Sequence, residues 1–136
     1  MTIKNSSILN NTHHHYKTNL GDVFFFDHYF IAEFKEGLDI DYSSFEEIHG
    51  LIKKHYGNSP FAFIANRINS YSIVLPDAAR FNTTFPNCKA YAIIAYSAIT
   101  EKIYQIENHF FHFNRQIFSN IHEAIIWVES SLHPKK

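Results

Sequence analysis

The polar residues most capable of chemistry follow a single apolar run, FAFIA, at positions 61–65. They are Asn66, Arg67, Asn69, Ser70, Tyr71 and Ser72. An arginine can hold an anionic group through two parallel hydrogen bonds, and the neighbouring amides and hydroxyls are further donors. The pattern predicts a site that binds a small ligand, with the tyrosine ring covering it.

The same residues also have a purely structural interpretation. Arg67 can pair with an internal carboxylate such as Glu107, and asparagine side chains often bond the backbone of turns. Structural networks and binding sites use the same residue types, so both interpretations stay open. Under either one we expect Arg67 to be partly buried and hydrogen-bonded, because a buried guanidinium cannot lose its charge.

Covalent catalysis would need a nucleophile beside a positioned base. Ser70, Ser72 and Cys88 are the candidate nucleophiles, and His109 and His112 are the candidate bases. The sequence contains no Gly-x-Ser-x-Gly nucleophile elbow, and its 10 histidines make chance pairs easy. We therefore expect no catalytic residues and a protein that is not an enzyme.

Histidines form two groups that could attract a transition metal. His13, His14 and His15 are adjacent, and His109 and His112 lie three positions apart. A closed metal site needs several ligands spaced on a rigid scaffold, which neither group provides. We expect no metal and no cofactor.

Length, charge and cysteine content exclude several classes of protein. The 136 residues fit one domain, predicted over 16–133 behind a flexible arm at 1–15. A net charge of -1 without a basic stripe argues against nucleic acid. No apolar run is long enough to span a bilayer, and the N-terminus lacks a signal-peptide core, so a cytoplasmic location is expected. Cys88 is the single cysteine, which excludes an intramolecular disulfide.

Hydrophobic periodicity predicts the elements that position these groups. Three short β-rich runs, YKTNL, DVFFFD and HYFIAEFKE, suggest an antiparallel meander over 16–36. Helices and strands then alternate: helix 43–56, strand 61–66, helix 76–85, strand 88–97, helix 98–110, strand 114–119 and helix 120–132. Such alternation predicts an α/β fold with a mixed sheet, in which the antiparallel meander precedes parallel strands and about four helices.

Each predicted element carries an apolar face. In the third β run Phe30, Ala32 and Phe34 alternate with a more polar set of residues, which predicts one buried and one more polar face. The helical stripes are Phe45, Ile48, Leu51, Ile52 and Tyr56 in the first helix, Ile99, Ile103, Ile106 and Phe110 in the third, and Ile121, Ala124, Ile125, Val128 and Leu132 in the fourth.

Capping residues predict where two helices begin. A capping box at the first helix can use Ser43 with Glu46. Ser44 with Glu47 is the alternative pair. Asn120 is the predicted cap of the last helix.

In the order of its elements over about residues 16–132, the chain resembles the SpoIIAA-like proteins, which belong with the STAS domains. The segments CKAYAIIAYS and QIFSNIHEAIIWVESSL carry the resemblance, with Phe118, Glu123, Ala124, Trp127 and Val128 at matching positions. The resemblance implies a β/α fold and a regulatory protein. In its best-known branch a serine after a central strand is phosphorylated within Asp-Ser-Ser/Thr-Gly. Here NRINSYS replaces that signature, and Ser70 and Ser72 occupy the corresponding region.

Two functional hypotheses follow. The first is a non-enzymatic STAS-like module that binds or regulates through a protein partner or a small ligand. The alternative is a carrier of an apolar, lipid-like ligand in a pocket between sheet and helices, since 14 phenylalanines can supply the lining. The exposed edge of the meander further predicts a weak homodimer.

Overall fold

A six-stranded mixed sheet forms the centre of the fold. The structure is a computed structural model that describes residues 2–5, 7–10 and 13–133. The strands are β1 (His14–Thr18), β2 (Gly21–Phe25), β3 (Tyr29–Phe34), β4 (Asp39–Ile40), β5 (Phe61–Arg67), β6 (Ser72–Ile73), β7 (Cys88–Ala95) and β8 (Arg115–Phe118). The helices are α1 (Glu46–Tyr56), α2 (Ala78–Thr84), α3 (Ala98–Glu107) and α4 (Ile121–Leu132).

Strand order confirms the predicted fold class. The main sheet runs β1-β2-β3-β5-β7-β8. Strands β1, β2 and β3 are antiparallel, and β3, β5, β7 and β8 are parallel. Strands β4 and β6 form a separate parallel pair of two residues each, which is too short to produce a periodic sequence signal.

The tight link between β1 and β2 requires a glycine. Gly21 has a φ of 139°, and a Cβ atom there would collide with the carbonyl oxygen of Glu33 on β3. The Thr18 hydroxyl donates a 2.8 Å hydrogen bond to the Gly21 carbonyl. Together these contacts set the register of the meander.

The sheet is covered on both sides. On one side, the α1 face, alternate strand residues such as Phe30, Phe63 and Tyr91 pack with the buried stripe of α1. On the other side, the α4 face, residues such as Ile31 and Ile64 pack with α4. The predicted buried stripes of α1 and α4 therefore both contribute to the core.

Strand β3 differs from its predicted alternation. All six of its residues are buried, including Tyr29, Ile31 and Glu33 of the expected polar face. That face is covered because the N-terminal residues Ile3 and Ile8 pack on the same side of the sheet as α4, and Thr2 and Ile3 donate hydrogen bonds to Glu33. Whether a second face of a strand is covered depends on the tertiary packing, so the alternation of residues within that strand does not predict it.

The start of α1 also differs from the prediction. Neither capping box forms, because a 3₁₀ turn over Ser43–Phe45 precedes the helix. Asp41 caps this turn instead: its Oδ1 accepts a 2.7 Å hydrogen bond from the Ser44 N–H. The predicted cap of α4 is confirmed, since Asn120 Oδ1 accepts a 2.9 Å bond from the Glu123 N–H.

The predicted domain boundaries, an arm over 1–15 and a domain over 16–133, stay a prediction. Within the arm, residues 1, 6, 11 and 12 lie outside the described residues. In the described part of the arm, Ile3 and Ile8 are buried on the α4 face, and β1 already begins at His14. No helix among the described residues is long and apolar enough to cross a membrane.

Candidate functional site

The predicted site residues lie where β5 ends and the chain turns towards β6. Asn66 and Arg67 are consecutive in the strand, so their side chains point to opposite faces of the sheet. Asn66 meets groups at the α4 face and Arg67 meets groups at the α1 face. The six residues therefore do not form one cluster.

Arg67 forms a buried ion pair with Glu107 of α3. Its Nη1 donates to both carboxylate oxygens, at 3.0 and 3.2 Å, and its Nη2 donates to the Tyr71 carbonyl at 2.8 Å. The guanidinium also stacks on the Tyr71 ring at 4.2 Å. The prediction of a buried, hydrogen-bonded Arg67 is confirmed, and its partner is internal.

A second arginine shares the same carboxylate. Arg115 Nη2 donates a 2.8 Å bond to Glu107 Oε1, and its Nη1 donates a 2.6 Å bond to Asn108 Oδ1. The side chains of Arg67, Glu107 and Arg115, here called the arginine triad, are each at most 2% exposed. Two guanidinium groups and one carboxylate leave the triad with one net positive charge.

Aromatic rings surround the triad. The Arg115 guanidinium carbon lies 4.5 Å from the centre of the Tyr91 ring and 5.2 Å from that of Phe111. Burial raises the pKa of Tyr91, so its phenol stays neutral. Burial acts to lower the pKa of Arg67, but Tyr71 and Glu107 outweigh this effect and the pKa lies above its usual value. Arg67 is therefore a cation, and the neutral Tyr91 phenol supplies no counter-charge to the triad.

Asn66 belongs to a polar cluster on the α4 face. Its Nδ2 donates a 2.8 Å bond to the buried Glu33 carboxylate, and its Oδ1 accepts a 2.7 Å bond from the Tyr96 hydroxyl. Thr2 and Ile3 also donate to Glu33, through the Thr2 hydroxyl at 2.5 Å and the Ile3 N–H at 2.9 Å. Asn66 thus links the ends of β3, β5 and β7 to the N-terminal segment.

The other predicted site residues bond the connection after β3. The Asn69 amide donates a 2.9 Å bond to the Phe34 carbonyl. The Ser70 N–H donates to Glu36, and the Ser72 hydroxyl donates a 2.8 Å bond to Asp39. A phosphate on either serine would lie beside a carboxylate, which repels it.

The candidate nucleophiles lack the arrangement that covalent catalysis needs. Burial raises the pKa of the Cys88 thiol to about 12, so it is protonated at neutral pH. Ser72 is bonded to Asp39 rather than to a histidine. His109 and His112 are exposed. Among the described residues no group of three or more histidine, cysteine, aspartate and glutamate side chains is placed to hold a metal.

An apolar cavity lies between the sheet and the helices of the α1 face. Its volume is about 60 Å³, and its lining is almost wholly apolar. Phenylalanines make up most of the lining: Phe30, Phe34, Phe45, Phe61, Phe63, Phe81, Phe85, Phe111 and Phe113, with Tyr91 and Cys88 among the remaining residues. A more polar surface groove of about 260 Å³ shares Phe45, Phe81 and Phe85 with the cavity. The groove therefore meets the cavity between α1 and α2.

Sequence reasoning named Glu107 but missed two other groups at these sites. Arg115 reaches the triad because the parallel register of β7 and β8 pairs it with Tyr91. Glu33 lies on the β3 face that alternation marked as more polar, and only the packed sheet brings it to Asn66. In each case the available signal was a charged residue within a β-rich run.

Comparison with known proteins gives a structural match. No protein-family model matches the chain, and no curated protein matches it. A solved structure from Shewanella loihica PV-4, an uncharacterized protein from the DUF3478 family with a SpoIIAA-like fold, superposes with a TM-score of 0.52. The match covers 86% of this chain and 92% of that chain at 15% identity, which is evidence of shared fold alone. Together with the strand order and the helices, it shows that the chain has a SpoIIAA-like fold.

Proposed function

We propose that this protein is a non-enzymatic binding module whose ligand is a small apolar molecule held in the cavity of the α1 face. The observation that carries the proposal is the Phe-lined cavity of about 60 Å³ beneath the groove between α1 and α2. Ligand sites are typically concave and lined by apolar and aromatic side chains. The arrangement matches the carrier hypothesis in position and in lining.

The size of the cavity restricts the ligand. An apolar cavity of ~150 Å³ is enough to hold a benzene molecule, so the cavity of about 60 Å³ holds only a few heavy atoms without rearrangement. The shared rings Phe45, Phe81 and Phe85 separate the cavity from the groove. Their rotation would join the two spaces and admit a short hydrocarbon chain. A long-chain lipid would require far larger movements.

Binding of hexanol tests this proposal. We expect the purified protein to bind hexanol saturably in titrations followed by NMR, with shifts concentrated on cavity-lining residues. Cys88 lines the cavity, so the larger side chain in Cys88→Leu should occupy the space that hexanol needs. We expect hexanol to bind at least about tenfold more weakly, which is a loss of about 1.4 kcal/mol.

Cys88→Ala is the matched control for this test. It removes the thiol and keeps the cavity open, so hexanol binding should survive. Shifts that do not saturate, or equal binding by Cys88→Leu, would contradict a cavity site. Overpacking costs about 1–3 kcal/mol, so the folded fraction of Cys88→Leu should be checked by its melting curve.

A second candidate function is self-association through α3. This helix turns Thr100 and Glu107 inwards. Its apolar stripe faces outwards instead: Ile99 is 68% exposed, Ile106 is 52% exposed and Phe110, just beyond the helix, is 42% exposed. The partner we propose is a second copy of the chain. A stable dimer buries about 800 Å² on each partner, and three side chains supply only part of that area, which fits the weak homodimer expected from sequence.

The alternative contact for a homodimer is the edge strand β1. Its residues His14, His15 and Lys17 are exposed, and polar or charged side chains on an edge disfavour pairing. The α3 stripe is therefore the better candidate.

Serine substitutions on α3 should reduce self-association without unfolding the protein. We expect Ile99→Ser with Ile106→Ser to weaken the dimer at least about tenfold in sedimentation equilibrium, because these substitutions remove apolar contact area. Ile126→Ser is the matched control, since Ile126 is 69% exposed on α4 at the other face. A dimer that persists in the double variant would assign the contact to another surface. A wild-type chain that stays monomeric at high concentration would exclude self-association.

A further inference from the structure

We infer that the ligand of the cavity carries one negative charge, and that its carboxylate pairs with Arg115 while its hydrocarbon part fills the Phe-lined space. The inference rests on the proposed function, because it assigns a chemical class to the same ligand. A short-chain carboxylate is the simplest molecule of that class. Two observations carry the inference, one electrostatic and one geometric.

The electrostatic observation is the unbalanced charge of the arginine triad. Arg67 and Arg115 share the single carboxylate of Glu107, and all three side chains are at most 2% exposed. An isolated buried charge is costly unless it is paired. Aromatic stacking on Tyr91 and Phe111 offsets part of that cost. A monoanionic ligand would balance the remaining charge.

The geometric observation is an unused donor on Arg115. Within the described part of the chain, its Nε is the buried side-chain nitrogen or oxygen atom that has no hydrogen-bond partner. Buried polar atoms are nearly always paired, so such an atom calls for an explanation. A carboxylate oxygen is a strong acceptor for this N–H. The two other guanidinium nitrogens of Arg115 are already bonded to Asn108 and Glu107.

The triad and the cavity are adjacent. Tyr91 and Phe111 both line the cavity and both stack against the Arg115 guanidinium. Phe111 lies on the irregular connection between α3 and β8 rather than in a helix or strand. Rotation of this ring would bring the cavity to Arg115. A ligand of the proposed class would then place its apolar part among the phenylalanines and its carboxylate on Nε.

The test compares hexanoate with hexanol, which have the same chain length and differ in charge. At neutral pH the wild-type protein should bind hexanoate at least about tenfold more tightly than hexanol in calorimetric titrations, since a hydrogen bond to a charged group is worth more than a neutral one. In Arg115→Met this preference should fall to about twofold or less. Arg115→Met leaves the Arg67–Glu107 pair intact, so the variant should fold. Arg115→Lys keeps the charge and should keep part of the preference.

Lys102→Met is the matched control. Lys102 is an exposed cation on α3 that lines neither the cavity nor the groove. Its loss should leave the preference for hexanoate unchanged. A preference that depends on Lys102 instead of Arg115 would overturn the inference. Equal binding of hexanoate and hexanol to wild type would overturn it while leaving the proposed function standing, and binding of neither would overturn both.

Discussion

Replacing Glu107 by glutamine is expected to lower the free energy of unfolding by at least about 3–5 kcal/mol, the usual cost of leaving a buried charge unpaired. The substitution keeps the size of the side chain but removes the one negative charge between Arg67 and Arg115. Two buried cations then face each other without a counter-charge. Because a domain is typically stable by about 5–15 kcal/mol, the loss is a large part of the total. Urea unfolding followed by circular dichroism measures it.

Glu101→Gln is the control for this effect. Glu101 is on the same helix but exposed, so its change should stay within about 0.5 kcal/mol. The destabilisation of Glu107→Gln should also persist at high salt, because buried pairs are screened much less than surface pairs. A loss below about 1 kcal/mol, or one that salt abolishes, would mean that the triad is solvated.

Helix α3 turns part of its apolar stripe away from the core. The spacing of Ile99 and Ile106 predicted a helical stripe, and both side chains are exposed. Burying one isoleucine is worth about 1.5–3 kcal/mol, whereas an unpaired buried guanidinium costs about 3–5 kcal/mol. Glu107 therefore faces inwards to pair with Arg67. Arg67 on β5 and Arg115 on β8 require a buried carboxylate. The residue pattern within α3 does not predict this requirement.

The candidate site shows the same division between local and long-range information. The polar exit from β5 was predictable, because Asn66 and Arg67 directly follow an apolar run. The pairing of Arg67 with Glu107 was one of two open interpretations, and the structure shows it. Arg115 joins them only through the register of β7 and β8. The register between strands that are distant in sequence depends on the packed sheet. The sequence therefore did not show that Arg115 joins the pair and gives the triad a net positive charge.

The cavity illustrates a further limit of sequence reasoning. The number of phenylalanines indicated an aromatic core and a candidate pocket between sheet and helices. Its volume depends on how closely those rings pack, since a shift of a fraction of an ångström closes or opens such a space. Composition therefore predicted the aromatic lining, while the volume of about 60 Å³ required the structure. The ligand class that we propose rests on the neighbouring triad.

Arg67→Ala is expected to lower the free energy of unfolding by about 3–5 kcal/mol, the usual cost of breaking a buried pair. The change removes both bonds to Glu107, leaves the buried Tyr71 carbonyl without the Arg67 donor and opens a void beneath the Tyr71 ring. Glu107 keeps Arg115 as a partner, so the loss should be smaller than that of Glu107→Gln. Chemical unfolding of both variants under identical conditions measures which one loses more free energy of unfolding.

Of the three substitutions, Arg115→Met is expected to lower the free energy of unfolding least. It leaves the two hydrogen bonds between Arg67 and Glu107 in place and removes the excess charge, and an apolar replacement of a buried ion is often tolerated. Combining Glu107→Gln with Arg115→Met should recover part of the stability, because one buried cation then remains instead of two. A double variant that is less stable than Glu107→Gln alone would show that packing, rather than charge, governs the triad. An Arg67→Ala variant as stable as wild type that has lost anion binding would instead favour the ligand-site interpretation of Arg67.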